Sequence, residues 1–165
     1  MKTRIFIVTL LLVVASVGAS AQSKLFKGIT SGMTKEHFKT YVNSTADIEL
    51  VDDETFKTDI SGRTYIGVVI FNSQNQLYSA CFLSMDEYEW VDYDPNVKEN
   101  AIELYSLLKS KYGEPELDRW LNWTEIPDGK SKVVAGFKKS TIRADLYVTE
   151  KDEKYYVSVS YTHLR

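Results

Sequence analysis

The chain has 165 residues, a formal net charge of −3 and a single cysteine. This mildly acidic balance gives no sign of a basic surface that would bind nucleic acids or anionic lipids, so we expect neither as a partner. An intramolecular disulfide is excluded as well. Cys81 is interpreted as a small buried residue, and the fold must rest on a hydrophobic core to which the 11 tyrosines can contribute large areas.

Residues 1–21 have the pattern of a secretory signal peptide. Lys2 and Arg4 give a positive start, the run 5–19 is largely apolar, and residues 19–21 (Ala-Ser-Ala) form a small-x-small cleavage site. A membrane anchor is less favoured, because the apolar run is shorter than the roughly 20 residues needed to span a bilayer. We therefore expect an exported protein, periplasmic or secreted, with no membrane span after cleavage and a single domain over residues 22–165.

The first half of the predicted domain is a short helix followed by strands. Thr34 suits the N-cap of a helix over 35–42. The run 65–71 is apolar on both faces, which predicts a central strand covered on both sides, and it is expected to form an antiparallel hairpin with the run 77–85. The other strands predicted in this half are 23–29, 47–51 and 55–60.

Residues 86–94 interrupt this pattern with five carboxylates, three aromatics and one valine. The carboxylates available to a calcium ion are Asp86, Glu87, Asp92 and Asp94. The glycine and the alternating Asp/Asn of a calcium loop are missing, however. In a recognition loop, Tyr88, Trp90 and Tyr93 would anchor a partner and the carboxylates would attract its basic groups. The segment could equally be a solvated connector whose aromatics pack into the core.

A second helix is predicted over 97–112. Its apolar residues recur at three- and four-residue spacing and form one stripe, consisting of Val97, Ala101, Leu104, Tyr105, Leu108 and Tyr112. Asp94 and Pro95 suit its start, and Gly113 and Pro115 suit its end. Because only one side of this helix is apolar, we expect that side to lie on a sheet.

Strands are predicted over 119–126, 132–138, 141–149 and 155–161. In the last two, apolar and polar residues alternate, which indicates one buried and one wetter face. Trp120 and Trp123 are separated by an odd number of residues and therefore point to opposite faces of their strand. One is expected in the core, and the other outside, near Tyr147 or Tyr156.

This order of elements predicts an α+β fold of two helix-plus-antiparallel-meander units, with the helices packed on one face of the sheet. Strands follow one another directly after each helix, which disfavours a parallel sheet. The two units correspond to lobes of about 22–85 and 95–165, joined by the acidic–aromatic connector 86–94.

Two short motifs carry a resemblance to a known fold group. Residues 32–38 (Gly-Met-Thr-Lys-Glu-His-Phe) resemble the helix entry of the β-lactamase-inhibitor-protein-like (BLIP-like) group, and residues 112–115 (Tyr-Gly-Glu-Pro) match its Gly-x-Pro helix stop. Residues 41–44 lack that stop in the first half. The second half is also similar to small exported proteins of Gram-negative bacteria. The resemblance implies an inhibitor-like, protein-binding role; the lipid-anchored assembly factors that share the helix entry differ, because a lipobox cysteine is missing here.

The sequence offers little for catalysis. It contains no Gly-x-Ser-x-Gly, His-Glu-x-x-His, Cys-x-x-Cys or glycine-rich phosphate loop, and its only histidines are His37 and His163. We therefore expect a non-enzymatic binding protein without metal or cofactor, with another protein as its partner. The candidate contact residues, on the concave sheet face and in segment 86–94, are Tyr88, Trp90, Tyr93, Trp120, Trp123 and Tyr156. An envelope assembly or accessory factor and an unrecognised enzyme are the alternatives.

Overall fold

A computed structural model describes residues 24–89, 93–119, 126 and 129–164 of the chain. The predicted signal peptide lies outside these residues, as does most of the predicted strand 119–126. Within the described residues, two α-helices and eleven strands follow one another in the predicted order.

The first half begins with a small hairpin of strands β1 (Lys24–Phe26) and β2 (Ile29–Thr30). Helix α1 (Lys35–Asn43) follows. Thr34 caps it as predicted, because its Oγ1 accepts a hydrogen bond from the His37 amide at 3.2 Å. The strands after α1 are β3 (Ile48–Leu50), β4 (Thr55–Ile60), β5 (Arg63–Phe71) and β6 (Leu77–Ser84). The predicted hairpin of β5 and β6 is confirmed.

The second half is entered through a short strand, β7 (Tyr88–Glu89), and a π-helical turn (Tyr93–Val97) that leads into α2 (Lys98–Tyr112). The predicted cap at Asp94 is wrong, because the π-helical turn already carries the chain into the helix and Val97 takes the cap position. The predicted end is confirmed: Gly113 has a φ of 91°, which glycine tolerates, and its amide bonds to the Lys109 carbonyl at 2.9 Å. The remaining strands are β8 (Leu117–Asp118), β9 (Ser131–Lys139), β10 (Ile142–Lys151) and β11 (Lys154–His163).

The two meanders form one continuous antiparallel sheet. Its strand order in the described residues is β3-β4-β5-β6-β11-β10-β9-β8, and β7 pairs with the start of β11. The meanders join where β6 pairs with β11, with Phe82 opposite Val159 and Cys81 opposite Ser160. Both helices pack on the same face of this sheet, so the predicted α+β architecture is confirmed.

The core lies between the helices and the sheet. Its centre is a row of aromatic rings that runs from α1 across the sheet, with ring centroids 5.8 Å apart for Phe38 and Phe56, 5.6 Å for Phe56 and Phe82, and 5.7 Å for Phe82 and Tyr161. Gly67 lies opposite Phe56 on the neighbouring strand, and a Cβ at this position would overlap the Phe56 ring. Glycine in mid-strand is therefore required by the packing of the core.

The other face of the sheet is exposed along β5, which corrects one prediction. Strand β5 is central in the sheet, as expected, but Val68 and Ile70 are 40% and 43% exposed. The apolar residues on both faces of β5 had indicated cover on both sides. The described elements supply a helical layer to one face only, so the second apolar row of β5 faces outward.

Candidate functional site

An apolar strip occupies the middle of the open face. Val68 on β5 lies opposite Cys81 on β6, and Ile66 lies opposite Leu83. Leu83 is 41% exposed, similar to Val68 and Ile70. We define the apolar strip as Ile66, Val68, Ile70, Cys81 and Leu83. Large apolar side chains this exposed on adjacent strands are a feature of surfaces that bind a partner.

Polar residues border the apolar strip on both sides. On one side, Lys57 of β4 lies opposite Ile66. On the other, Ser158 and Ser160 of β11 lie opposite Leu83 and Cys81. An apolar centre with a polar rim is the usual anatomy of a protein–protein interface.

A charged pair lies beyond this rim on β10. Arg143 Nε donates a hydrogen bond to Asp145 Oδ2 at 2.7 Å, and this bond raises the pKa of Arg143. The Asp145 Oδ1 atom is buried and has no hydrogen-bond partner among the described residues, while the residue as a whole is 9% exposed. A Cβ at Gly136, on the neighbouring strand, would lie only 2.8 Å from this oxygen. The carboxylate therefore fills the space that a side chain at Gly136 would take.

Cys81 lies within the apolar strip and is half-buried. Burial raises the pKa of its thiol above the usual value, so the thiol is protonated at neutral pH. Together with its apolar neighbours, this makes Cys81 a packing residue and a weak nucleophile.

The predicted recognition segment 86–94 turns partly inward. Tyr88 is 7% exposed, and burial raises the pKa of its hydroxyl. That hydroxyl donates to Asp86 Oδ2 at 3.2 Å and accepts from Arg63 Nη1 at 3.3 Å and from Asn100 Nδ2 at 3.1 Å. With so little of its surface exposed, Tyr88 contributes to the junction of the two halves and offers a partner almost nothing to contact.

Asn100 is the centre of this buried polar network. It lies on the first turn of α2 and is 0% exposed. Its Oδ1 accepts a hydrogen bond from the Tyr65 hydroxyl at 2.7 Å, and its Nδ2 also lies 3.4 Å from Ser84 Oγ. Burial raises the pKa of Tyr65 far above its usual value, so this hydroxyl remains a donor. We define the Asn100 network as Arg63, Tyr65, Ser84, Asp86, Tyr88 and Asn100.

The side chains of four other predicted contact residues are not described. Trp90, Trp120 and Trp123 lie outside the described residues, and only the backbone of Tyr93 is described. Tyr156 is half-buried at the edge of the open face, where Lys154 forms an ion pair with Glu87. Through its hydrogen bond, Lys154 lowers the pKa of Glu87.

A groove on the helical side was not predicted from the sequence. It has a volume of about 590 Å³ and lies between α2, the β1–β2 turn and the β4–β5 turn. Its floor is Phe82, Val159 and Tyr161, from the two strands that join the meanders. The alternating pattern of β11 and the apolar stripe of α2 predicted that the facing sides of these two elements are buried. No local sequence signal indicates that the side chains between them leave a groove.

Lys111 borders this groove near the end of α2. Its Nζ donates a hydrogen bond to the Leu25 carbonyl at 2.7 Å and lies 5.4 Å from the centre of the Tyr161 ring. Burial lowers the pKa of Lys111, although much of its side chain is exposed. Lys109, two residues earlier, instead forms an exposed salt bridge with Glu114 at 2.9 Å.

The described residues assemble no group of three or more His, Cys, Asp or Glu side chains that could hold a metal ion. Among the same residues, neither helix is long and apolar enough to cross a membrane. Two of the carboxylates considered as calcium ligands cannot be placed, because Asp92 and the side chain of Asp94 lie outside the described part of the chain.

Comparisons of the chain with protein families, with curated proteins and with solved structures give no match. The apolar strip and the groove are thus the two candidate binding surfaces of the described residues.

Proposed function

We propose that the protein is an exported, non-enzymatic binding protein that engages another protein through the apolar strip. The observation that carries this proposal is the exposure of Val68, Ile70 and Leu83, each at 40% or more, on the adjacent interior strands β5 and β6 of the sheet. Removing such a strip from water upon contact supplies the main driving force for association. The resemblance to the BLIP-like group suggests an exported enzyme as the partner, which the protein would inhibit.

The sheet supports the strip as a rigid platform. Its β5 strand is paired along its length with β4 and β6, and Phe56 and Phe82 anchor these neighbours to the core on the opposite face. A preformed surface loses little conformational freedom on binding, which favours affinity. The partly exposed polar residues Lys57 and Ser160 at the border of the strip can fix the orientation of the partner.

Affinity capture from an envelope extract tests the proposal, with three baits compared quantitatively. The wild-type bait should retain a defined protein, and the double variant Val68→Glu/Leu83→Glu should retain at least tenfold less of it. Val51→Glu is the matched control, because Val51 is 52% exposed but lies outside the apolar strip. Circular dichroism should show that all three baits have the same fold.

Two outcomes would overturn the proposal. Equal retention of the same proteins by the wild type and the double variant would show that the strip is not the contact surface. A wild-type protein that elutes as a dimer, and becomes monomeric in the double variant, would assign the strip to self-association.

A further inference from the structure

We propose that the groove beneath α2 binds a single-chain aliphatic carboxylate, with its carboxylate at Lys111 and its chain along α2. This site lies on the opposite face of the sheet from the apolar strip and is independent of the protein-binding role. A volume of about 590 Å³ is within the range of small-molecule sites.

The walls of the groove suit an alkyl chain. Leu107 of α2 is 46% exposed, and Phe26 and Ile60, on the opposite wall, are partly buried. Leu104 and Leu108 complete the α2 wall. Along the helix, Leu104 and Lys111 are seven residues apart, which corresponds to about 10 Å. A chain extended along α2 from Lys111 would therefore contact apolar side chains over roughly this length.

The charges place the head of the ligand at the Lys111 end. No carboxylate of the described residues pairs with Lys111, whose ammonium group has the Leu25 carbonyl and two tyrosine rings as its neighbours. An ammonium group can donate three hydrogen bonds, so it can bind an anion without giving up the Leu25 carbonyl. The carboxylate on the lining, Asp59, lies near the end of β4 and would repel a head group placed there.

Two other lysines strengthen this polarity. Lys27 lies on the β1–β2 wall, and Lys139 Nζ donates to the Lys111 carbonyl at 3.1 Å. The Lys139 contact matters because the carbonyls at the end of a helix repel anions, and a cation bound to them offsets that effect. Burial lowers the pKa of Lys111, and a bound carboxylate would raise it again by supplying the missing opposite charge.

Isothermal titration calorimetry of the purified protein tests the site, with dodecanoate below its micelle concentration as the probe. Dodecyl maltoside has the same chain without the charge, and acetate has the same head without the chain. We expect dodecanoate to bind, and both analogues to bind at least tenfold more weakly. Lys111→Met and Leu107→Glu should each weaken dodecanoate binding at least tenfold.

Matched variants on the same helix serve as controls. Lys109→Met removes a lysine that is paired with Glu114, and Ile102→Glu alters a side chain that is 48% exposed but does not line the groove. Both should bind dodecanoate as the wild type does. Circular dichroism and thermal melting of every variant separate loss of the site from loss of the fold.

The proposal is overturned if dodecanoate does not bind, if Lys111→Met binds it as tightly as the wild type, or if dodecyl maltoside binds equally well. Flotation with phosphatidylglycerol vesicles addresses the other source of an anionic head on an alkyl chain. Vesicle binding that is lost in Lys111→Met, without binding of monomeric dodecanoate, would assign the groove to a membrane surface instead.

Discussion

The two ends of α2 bury polar groups in opposite ways. At its start, Asn100 is fully buried and bonded to Tyr65, Tyr88 and Ser84. At its end, the described residues offer no hydrogen-bond partner to the buried Tyr112 hydroxyl and no carboxylate to Lys111, which borders the groove. A buried polar network with every member satisfied fixes a unique arrangement, whereas a buried polar group without a hydrogen-bond partner costs stability. We infer that the start of α2 has a structural role and that its end is a candidate binding site.

The largest effect is expected when Asn100 is replaced by leucine. This change leaves the buried Tyr65 hydroxyl without its acceptor and removes a donor from Tyr88, so we expect a loss of about 2–4 kcal/mol in the free energy of unfolding. Urea denaturation measures it. In a double-mutant cycle with Tyr65→Phe, the two losses should not add, with a coupling of about 0.5–3 kcal/mol. Strict additivity would contradict the network.

Arg63→Met should have the next largest effect. Arg63 donates to Asp86 at 3.1 Å and to Glu103 at 3.4 Å and joins the β4–β5 turn to α2. Because these bonds are charge-assisted and partly shielded from water, we expect a loss of about 1–2 kcal/mol in urea denaturation. The control Lys109→Met breaks the exposed pair with Glu114, which solvent screens, and should therefore cost clearly less stability than Arg63→Met. Equal losses would mean that the Asn100 network gains nothing from Arg63.

A pair of tyrosine-to-phenylalanine changes compares the two ends directly. Tyr65→Phe removes a bonded hydroxyl and should destabilise the fold by about 1 kcal/mol. Tyr112→Phe removes a buried hydroxyl that has no partner within the part of the chain that the structure describes, and should leave stability unchanged or raise it by up to about 1 kcal/mol. Burial raises the pKa of Tyr112 to about 12, which a spectroscopic titration of the wild type can check. A substantial loss in Tyr112→Phe would show that this hydroxyl is bonded in solution.

The smallest effect concerns the pH dependence of stability. Burial lowers the pKa of Lys111 in the folded chain below its ordinary value of 10.5. Between the lowered pKa and 10.5, the unfolded state binds more protons than the folded state, so stability rises with pH in this window. The unfolding free energy of the wild type relative to Lys111→Met should therefore increase as the pH is raised towards 10.5. Bound dodecanoate should abolish this increase. If the difference in unfolding free energy does not change with pH in the absence of ligand, the pKa of Lys111 is not lowered.

The elements of the fold were predictable because their causes are local. Thr34, Gly113 and Pro115 mark where the helices begin and end, and the alternation in β10 and β11 separates buried from wetter residues. These signals depend on backbone geometry and on the period of a helix or strand, which each segment carries by itself. The order of helices and strands was then sufficient for the α+β class.

The burial and the hydrogen-bond partners of individual side chains depended on contacts between distant segments. The sequence allowed Tyr88 to be either an outward anchor or part of a connector whose aromatics pack into the core. Asn100 and Arg63, 12 and 25 residues away in the chain, bond its hydroxyl inside the fold. Lys109 and Lys111 are both cations near the end of the same helix, and the sequence alone does not distinguish them. Only the position of β1 beneath α2 directs Lys111 to the Leu25 carbonyl, 86 residues away in the chain.

The sequence by itself therefore determined which segments form helices and strands and which of their residues are apolar. The tertiary structure decided which apolar face is covered. Both faces of β5 are apolar, but the helices lie on one side of the continuous sheet, so Tyr65 and Val69 are buried while Val68 and Ile70 face outward. The physical reason is that periodicity records the composition of each face, whereas burial depends on which other segment packs against it.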